Sequence, residues 1–150
     1  MHLRRLTMSF FSLVSLTCCA LLPRPADLQL ISLAGAVSAD AGAFFTRLAA
    51  KQGSDCSLSA NSDAYDHLTE LAGALKLHIA ASQSSPALVL ASDALLRTIA
   101  DARAAHAAAS ARTDDVHGAC MAAGAIALNA DAIARASAAI AATQNATGAR

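Results

Sequence analysis

The feature that most constrains this chain is the spacing of its apolar residues. They recur every three or four positions in four successive runs, and polar, turn-forming clusters separate the runs. Ile31, Ala34, Val37, Ala41, Phe44 and Leu48 make the first stripe. Leu68, Leu71, Leu75 and Ile79 make the second, and Leu88, Ala91, Leu95, Ile99 and Ala102 the third. Val116, Ala119, Ala123, Ile126, Ala130 and Ile133 make the fourth. That period is the signature of amphipathic helices. The spacing predicts helices over 27–50, from Ser62 or Asp63 to 81, from Pro86 to about 111, and a fourth that opens at Thr113-Asp114-Asp115 and carries its stripe to Ile133.

The breaks have their own chemistry. Lys51-Gln52-Gly53-Ser54-Asp55 ends the first helix, with Gly53 as a stop, and a polar loop follows through Asn61-Ser62. In Ser82-Gln83-Ser84-Ser85-Pro86, Ser85 suits an N-cap and Pro86 the first helical position, where a missing N–H costs nothing. Thr113-Asp114-Asp115 suits a helix start, since acidic side chains favour the positive end of the helix dipole. Positions 88, 95, 102, 109, 116, 123 and 130 are all apolar, so one continuous third helix is the alternative. A rod of that length would lack an equal partner, which favours the break.

Four amphipathic helices with short connections bury their stripes best as an antiparallel, up-and-down four-helix bundle, an all-α fold. Composition agrees. There are 41 alanines, 22 of them after residue 100, while aromatics reach only 3% and tryptophan is absent. Alanine favours helix over strand, but one methyl contributes only about 0.8 kcal/mol on burial. The large anchors Phe44, Leu48, Leu68, Leu71, Leu75, Leu95, Ile99, Ile126 and Ile133 are therefore the expected core. A formal net charge of zero argues against a disordered charged tail and against nucleic acid as a partner.

Arg4 and Arg5 precede an apolar run over 6–22, and Pro23 and Pro25 follow it. This pattern reads as a secretory signal peptide within 1–26, with cleavage near Cys18-Cys19-Ala20. A first helix of the folded domain is the alternative. A signal anchor is less favoured, because the run falls short of the ~20 residues that span a bilayer. Cleavage would leave a mildly acidic domain over 27–140, a tail over 141–150 and no membrane contact in the mature form. It would also leave Cys56 and Cys120, either a disulfide in an oxidising compartment or two inert buried thiols. Asn145-Ala146-Thr147 is a glycosylation sequon, usable only in a secreted chain.

Enzyme signatures are lacking: there is no Gly-rich phosphate loop, G-x-S-x-G elbow or H-E-x-x-H pair. His67 and His78 share a helix face but lie eleven residues, or ~16 Å, apart, as do His106 and His117. These histidines read as surface or core residues, not as metal ligands. Asp63, Asp66 and Glu70 line one ridge of the second helix. Such carboxylates do acid–base work only in a dry cleft, so a solvated face or a protein contact is the better reading. Neither a catalytic residue, a cofactor nor a metal is expected.

From residue 16 to about 133 the chain resembles the plant invertase and pectin methylesterase inhibitor family. Cys19-Ala20-Leu21-Leu22-Pro23-Arg24-Pro25-Ala26-Asp27-Leu28 is similar to the family's second cysteine and the start of its first bundle helix. Asp63-Ala64-Tyr65-Asp66-His67-Leu68-Thr69-Glu70-Leu71 resembles the start of its second helix, and 94–109 its third. The closest likeness is Thr113-Asp114-Asp115-Val116-His117-Gly118-Ala119-Cys120 and the small apolar residues through Ala127. The family's cysteine scheme is incomplete here: Asn61 and Ala102 stand where two of its cysteines fall.

The resemblance implies a four-helix bundle that inhibits a cell-wall carbohydrate enzyme by stoichiometric complex formation in the apoplast. Members that block invertase use a Pro-Lys-Phe-like tip between the second and third helices, where this chain has Ser84-Ser85-Pro86-Ala87-Leu88. Members that block pectin methylesterase lay helical faces across the substrate cleft, so that target is preferred. Asp66, Glu70, Ser84, Ser85 and Pro86 are then the expected partner-binding residues. The alternative is a secreted or surface-displayed, alanine-rich coiled-coil protein with a structural or interaction role.

Overall fold

A computed structural model describes residues 26–51, 53–82, 84–112 and 120–148. The described residues form α1 (Leu28–Ala49), a short 3-10 turn (Gly53–Cys56), α2 (Leu58–Ala81), α3 (Pro86–Ser110) and α4 (Ala123–Gly148). Each helix packs against two others: α1 lies against α2 and α4, and α3 against α2 and α4. The result is the expected four-helix bundle.

Polar caps fix where the helices begin. An Asp27 carboxylate oxygen accepts from the Leu30 N–H at 3.0 Å and opens α1. Ser57 caps α2 by accepting from the Ala60 N–H at 3.2 Å. Ser85 caps α3 ahead of Pro86, as expected. Each of these side chains satisfies one of the donors a helix start leaves unpaired.

The second helix starts earlier than the sequence suggests. Asn61 was expected in a loop but lies buried inside α2. Its amide donates to the carbonyls of Asp55 and Ser57 at 2.7 and 2.8 Å, and its oxygen accepts from Lys51 Nζ at 2.6 Å. A buried amide is tolerated when its bonds are made, and these bonds tie the end of α1 to the start of α2.

The fourth helix starts later than expected, because residues 120–122 are not helical. Thr113, Asp114 and Asp115, the expected cap, lie outside the described residues, as does the signal-like run 6–22. Since α3 closes at Ser110, the continuous-rod alternative is excluded. At its other end α4 runs on to Gly148, past the boundary drawn at 140.

The core is a spine of large side chains separated by alanines. Leu30, Val37, Phe45, Leu48, Tyr65, Leu68, Leu75, Ile79, Leu88, Leu95, Ile99, Ile133 and Ile140 are almost fully buried, and Ala34, Ala41, Ala72 and Ala102 let the helices approach between them. Each large side chain contributes roughly 1.5–3 kcal/mol on burial. Two expected positions moved by one residue. Leu30 is buried in place of Ile31, and Leu71 is half-buried while Ala72 faces the core. Tyr65 sits against Phe44 and Phe45, with ring centroids 4.9 and 6.3 Å away. Edge-on aromatic contacts of this kind add to the area term.

Candidate functional site

Ion pairs between helices set the register of the bundle surface. Lys76 meets Asp93 at 2.7 Å, and Arg103 meets Asp66 at 2.5 Å. Ten residues back along α2 are thus matched by ten residues forward along α3, as an antiparallel pair requires. His78 and Asp27, and His67 and Asp40, bridge α1 and α2 at 2.7 and 3.1 Å. The shared face of His67 and His78 therefore serves two carboxylates of α1. Among the described residues no three His, Cys, Asp or Glu side chains come together as a metal site.

These contacts lower two carboxyls of the pairs. Burial alone would raise the Asp27 carboxyl. Hydrogen bonds from the Leu30 N–H, the His78 ring and the Gln29 N–H outweigh it and hold the group below the ordinary aspartate range. The hydrogen bond from Lys76 lowers Asp93 in the same way, against slight desolvation.

A buried polar chain links α2, α3 and the turn before α2. His106 Nε2 lies 2.6 Å from the Cys56 carbonyl, which can only accept, so this nitrogen carries a hydrogen. In the neutral ring Nδ1 then accepts from the Tyr65 hydroxyl at 3.2 Å. Both residues are fully buried. Burial pushes the Tyr65 phenol above its ordinary value, against a weaker pull from Arg103. Buried at both side chains and ended by a backbone carbonyl, the chain has the form of a structural tie.

Cys56 and Cys120 are joined as a disulfide, with Cα atoms 4.6 Å apart and a sequence separation of 64. Of the two readings open at the sequence level, this is the bonded one. The bond fastens the α1–α2 connection to the segment that enters α4.

The expected partner-binding residues divide into two places. Asp66 and Glu70 are exposed on α2, and Asp66 is engaged by Arg103. Ser84, Ser85 and Pro86 form the α2–α3 connection, where Ser82 and Ser84 hydroxyls lie 2.7 Å apart and Ser85 is committed to capping. Glu70 is eleven residues before Ala81, so ~16 Å of helix separates the ridge from this connection. They share one hairpin but do not form one compact site. Asn145 is exposed on α4.

A shallow groove between α1 and α2 escaped the sequence reading. Its volume is about 190 Å³, and its lining includes Asp40, Arg47, His67, Phe44 and Leu68. It appears only once His67 and Asp40 are apposed across the two helices, so spacing along one helix gives no hint of it. Comparison with protein-family models, curated proteins and solved structures finds no match to this chain.

Proposed function

We propose that the protein works by binding another protein, as a stoichiometric inhibitor of a cell-wall carbohydrate enzyme on the extracellular side. Pectin methylesterase is the preferred target and invertase the second. The observation that carries this reading is the α2–α3 hairpin. It is a continuous two-helix face, bridged by the Lys76 pair with Asp93 and the Asp66 pair with Arg103. At 24 and 25 residues its helices run ~36 Å. A face of that length and about two helix diameters wide approaches the roughly 800 Å² per partner of a standard interface.

The resemblance in helix order supports the same reading, and so does an up-and-down bundle. The α2–α3 connection carries serines and a proline in place of a basic and aromatic tip, which favours coverage of a cleft by helix faces over insertion of a loop. An inhibitor of this kind needs no catalytic residue, cofactor or metal. The Cys56–Cys120 bond suits an oxidising, extracellular compartment. The coiled-coil alternative is less favoured, because the helices satisfy their apolar stripes within one chain.

Titration of purified pectin methylesterase and invertase tests the proposal. Loss of turnover reaching completion near one equivalent, with co-elution on gel filtration, is expected for one of them. Unchanged turnover at molar excess and no complex would overturn it. Charge reversal at Glu70 and at Arg97, both exposed on the hairpin, is expected to weaken the complex without unfolding the bundle.

A further inference from the structure

The ionisable side chains are distributed unevenly along the bundle axis. Consider the end where α1 and α3 begin and α2 and α4 finish. Within the three turns nearest it, residues 28–38, 71–81, 86–96 and 138–148, together with Asp27, the ionisable side chains are Asp27, Lys76, His78 and Asp93. All four are consumed in two pairs, Asp27 with His78 and Lys76 with Asp93. No uncompensated charge remains in these turns. The opposite end carries Asp40, Arg47, Lys51, Asp55, Asp63, Asp66, Asp101, Arg103 and Arg112.

Exposed apolar side chains follow the same division. Leu28 is 76% exposed, Leu77 72% and Leu90 66%, with Val89 beside Leu90 at 37%. All four belong to the charge-poor end. Leu77 is four residues from the last residue of α2 and Leu90 four from the first of α3, so both lie within ~6 Å of the end of their helices. Leu128 is the exposed leucine at the other end. Clustering of exposed apolar groups at one pole, where the ionisable side chains of the described turns are all paired, is the pattern of a surface that meets an apolar phase.

The chain itself points to that phase. Residues 6–22 are an apolar run of seventeen residues, shorter than the ~20 of an average span but within the ~17–25 range that reaches across a bilayer. Five residue steps separate Leu22 from Asp27, a reach of at most about 17 Å. Whatever holds the run 6–22 is therefore tethered within that reach of the start of α1, at the charge-poor pole. Arg4 and Arg5 on the far side of the run favour a cytoplasmic N-terminus and a bundle on the outer side. That side is where a disulfide persists.

We propose that the charge-poor pole is a membrane-facing surface, seated on a phospholipid bilayer in which the run 6–22 is retained as an anchor. Leu28, Leu77, Val89 and Leu90 enter the interfacial layer, and the charged pole points away from the membrane. Retention of the run replaces release of a mature soluble domain. The inference stands independently of the identity of any inhibited enzyme.

The absence of tryptophan makes the test clean. Three single-tryptophan variants of the full chain are prepared, Leu77→Trp, Leu90→Trp and, at the opposite pole, Ala108→Trp. Each is mixed with phosphatidylcholine vesicles, with and without brominated acyl chains. The full chain is expected to float with the vesicles. Emission from Leu77→Trp and Leu90→Trp should shift to the blue and lose most of its intensity to the brominated lipid, while Ala108→Trp stays unchanged. Failure to float, or equal response of all three probes, would overturn the proposal. A blue shift that needs only higher protein concentration and no vesicles would overturn it too, since it would assign the surface to a second copy of the chain.

Discussion

At one end of the bundle, Asn61 gathers Lys51, Asp55 and Ser57, His106 joins Tyr65 to the Cys56 carbonyl, and Cys56 is bonded to Cys120. At the other end, α2 turns into α3 through four residues, and two ion pairs bridge the surface while leucines face outward. The difference follows from what each end must close. The tightly tied end contains the two long connections, around residues 50–57 and 111–122. Long connections carry a large ordering cost, and buried hydrogen bonds and a covalent bond offset it. The short α2–α3 turn carries little such cost, and a serine cap followed by proline is enough.

The largest expected effect comes from removing the covalent tie. Closing a loop of 64 residues restricts the unfolded chain by ~4 kcal/mol. The double variant Cys56→Ala with Cys120→Ala should lose most of that in denaturant unfolding. A loss under about 1 kcal/mol would mean the tied end is held by packing alone.

Next in size is Tyr65→Phe. It keeps the ring among Phe44 and Phe45 but leaves His106 Nδ1 buried without its donor, at a cost of about 2 kcal/mol. The same chain can be probed by alkali. Burial raises the folded-state phenol, so its contribution is intact below the unfolded value near 10 and is lost as pH rises through the higher folded value. Phenolate absorbance should therefore emerge only together with loss of helicity.

A smaller effect belongs to the other end. Asp27→Ala removes the α1 cap and the His78 partner, and should cost about 1 kcal/mol. The Asp27 carboxyl is lowered in the folded state, so its contribution is present above the unfolded value near 4 and is lost as pH falls through the folded value. Chemical denaturation of the parent and Asp27→Asn across pH 7 to 3 should show the stability gap closing in acid.

Smallest of all is Leu77→Lys, which should change stability in water by less than about 0.5 kcal/mol, because the side chain touches solvent and not the core. The comparison sharpens if this variant is neutral in water and weakened on vesicles.

The two ends also differed in how much could be read from the sequence. Asp27 and Ser85 act through neighbours three residues away and Pro86 through its own ring, so local pattern was enough to place the starts of α1 and α3. The starts of α2 and α4 were misplaced, because there long-range contacts overrule local chemistry. Asn61 resembles a loop residue until Lys51 and the Asp55 carbonyl are brought to it. Cys120 lies in a non-helical stretch, bonded to a residue 64 positions away.

The helical stripes located the core to within one residue: Leu30 replaces Ile31 and Ala72 replaces Leu71, while Ala34, Val37, Leu68 and Leu75 stay in place. The candidate surface was less legible. The acidic ridge was visible, but the Arg103 that engages Asp66 comes from the facing helix, and His106 could not be told from a surface histidine by spacing.

Hydrogen exchange by mass spectrometry on the oxidised full chain, with and without reductant, tests the unequal ends most directly. The slowest amides should lie around Tyr65 to Ala72 in α2 and Ile99 to His106 in α3, and reductant should speed them selectively. Slowest exchange around Ala74 to Ala81, or protection near Tyr65 and His106 that reductant leaves untouched, would contradict the account.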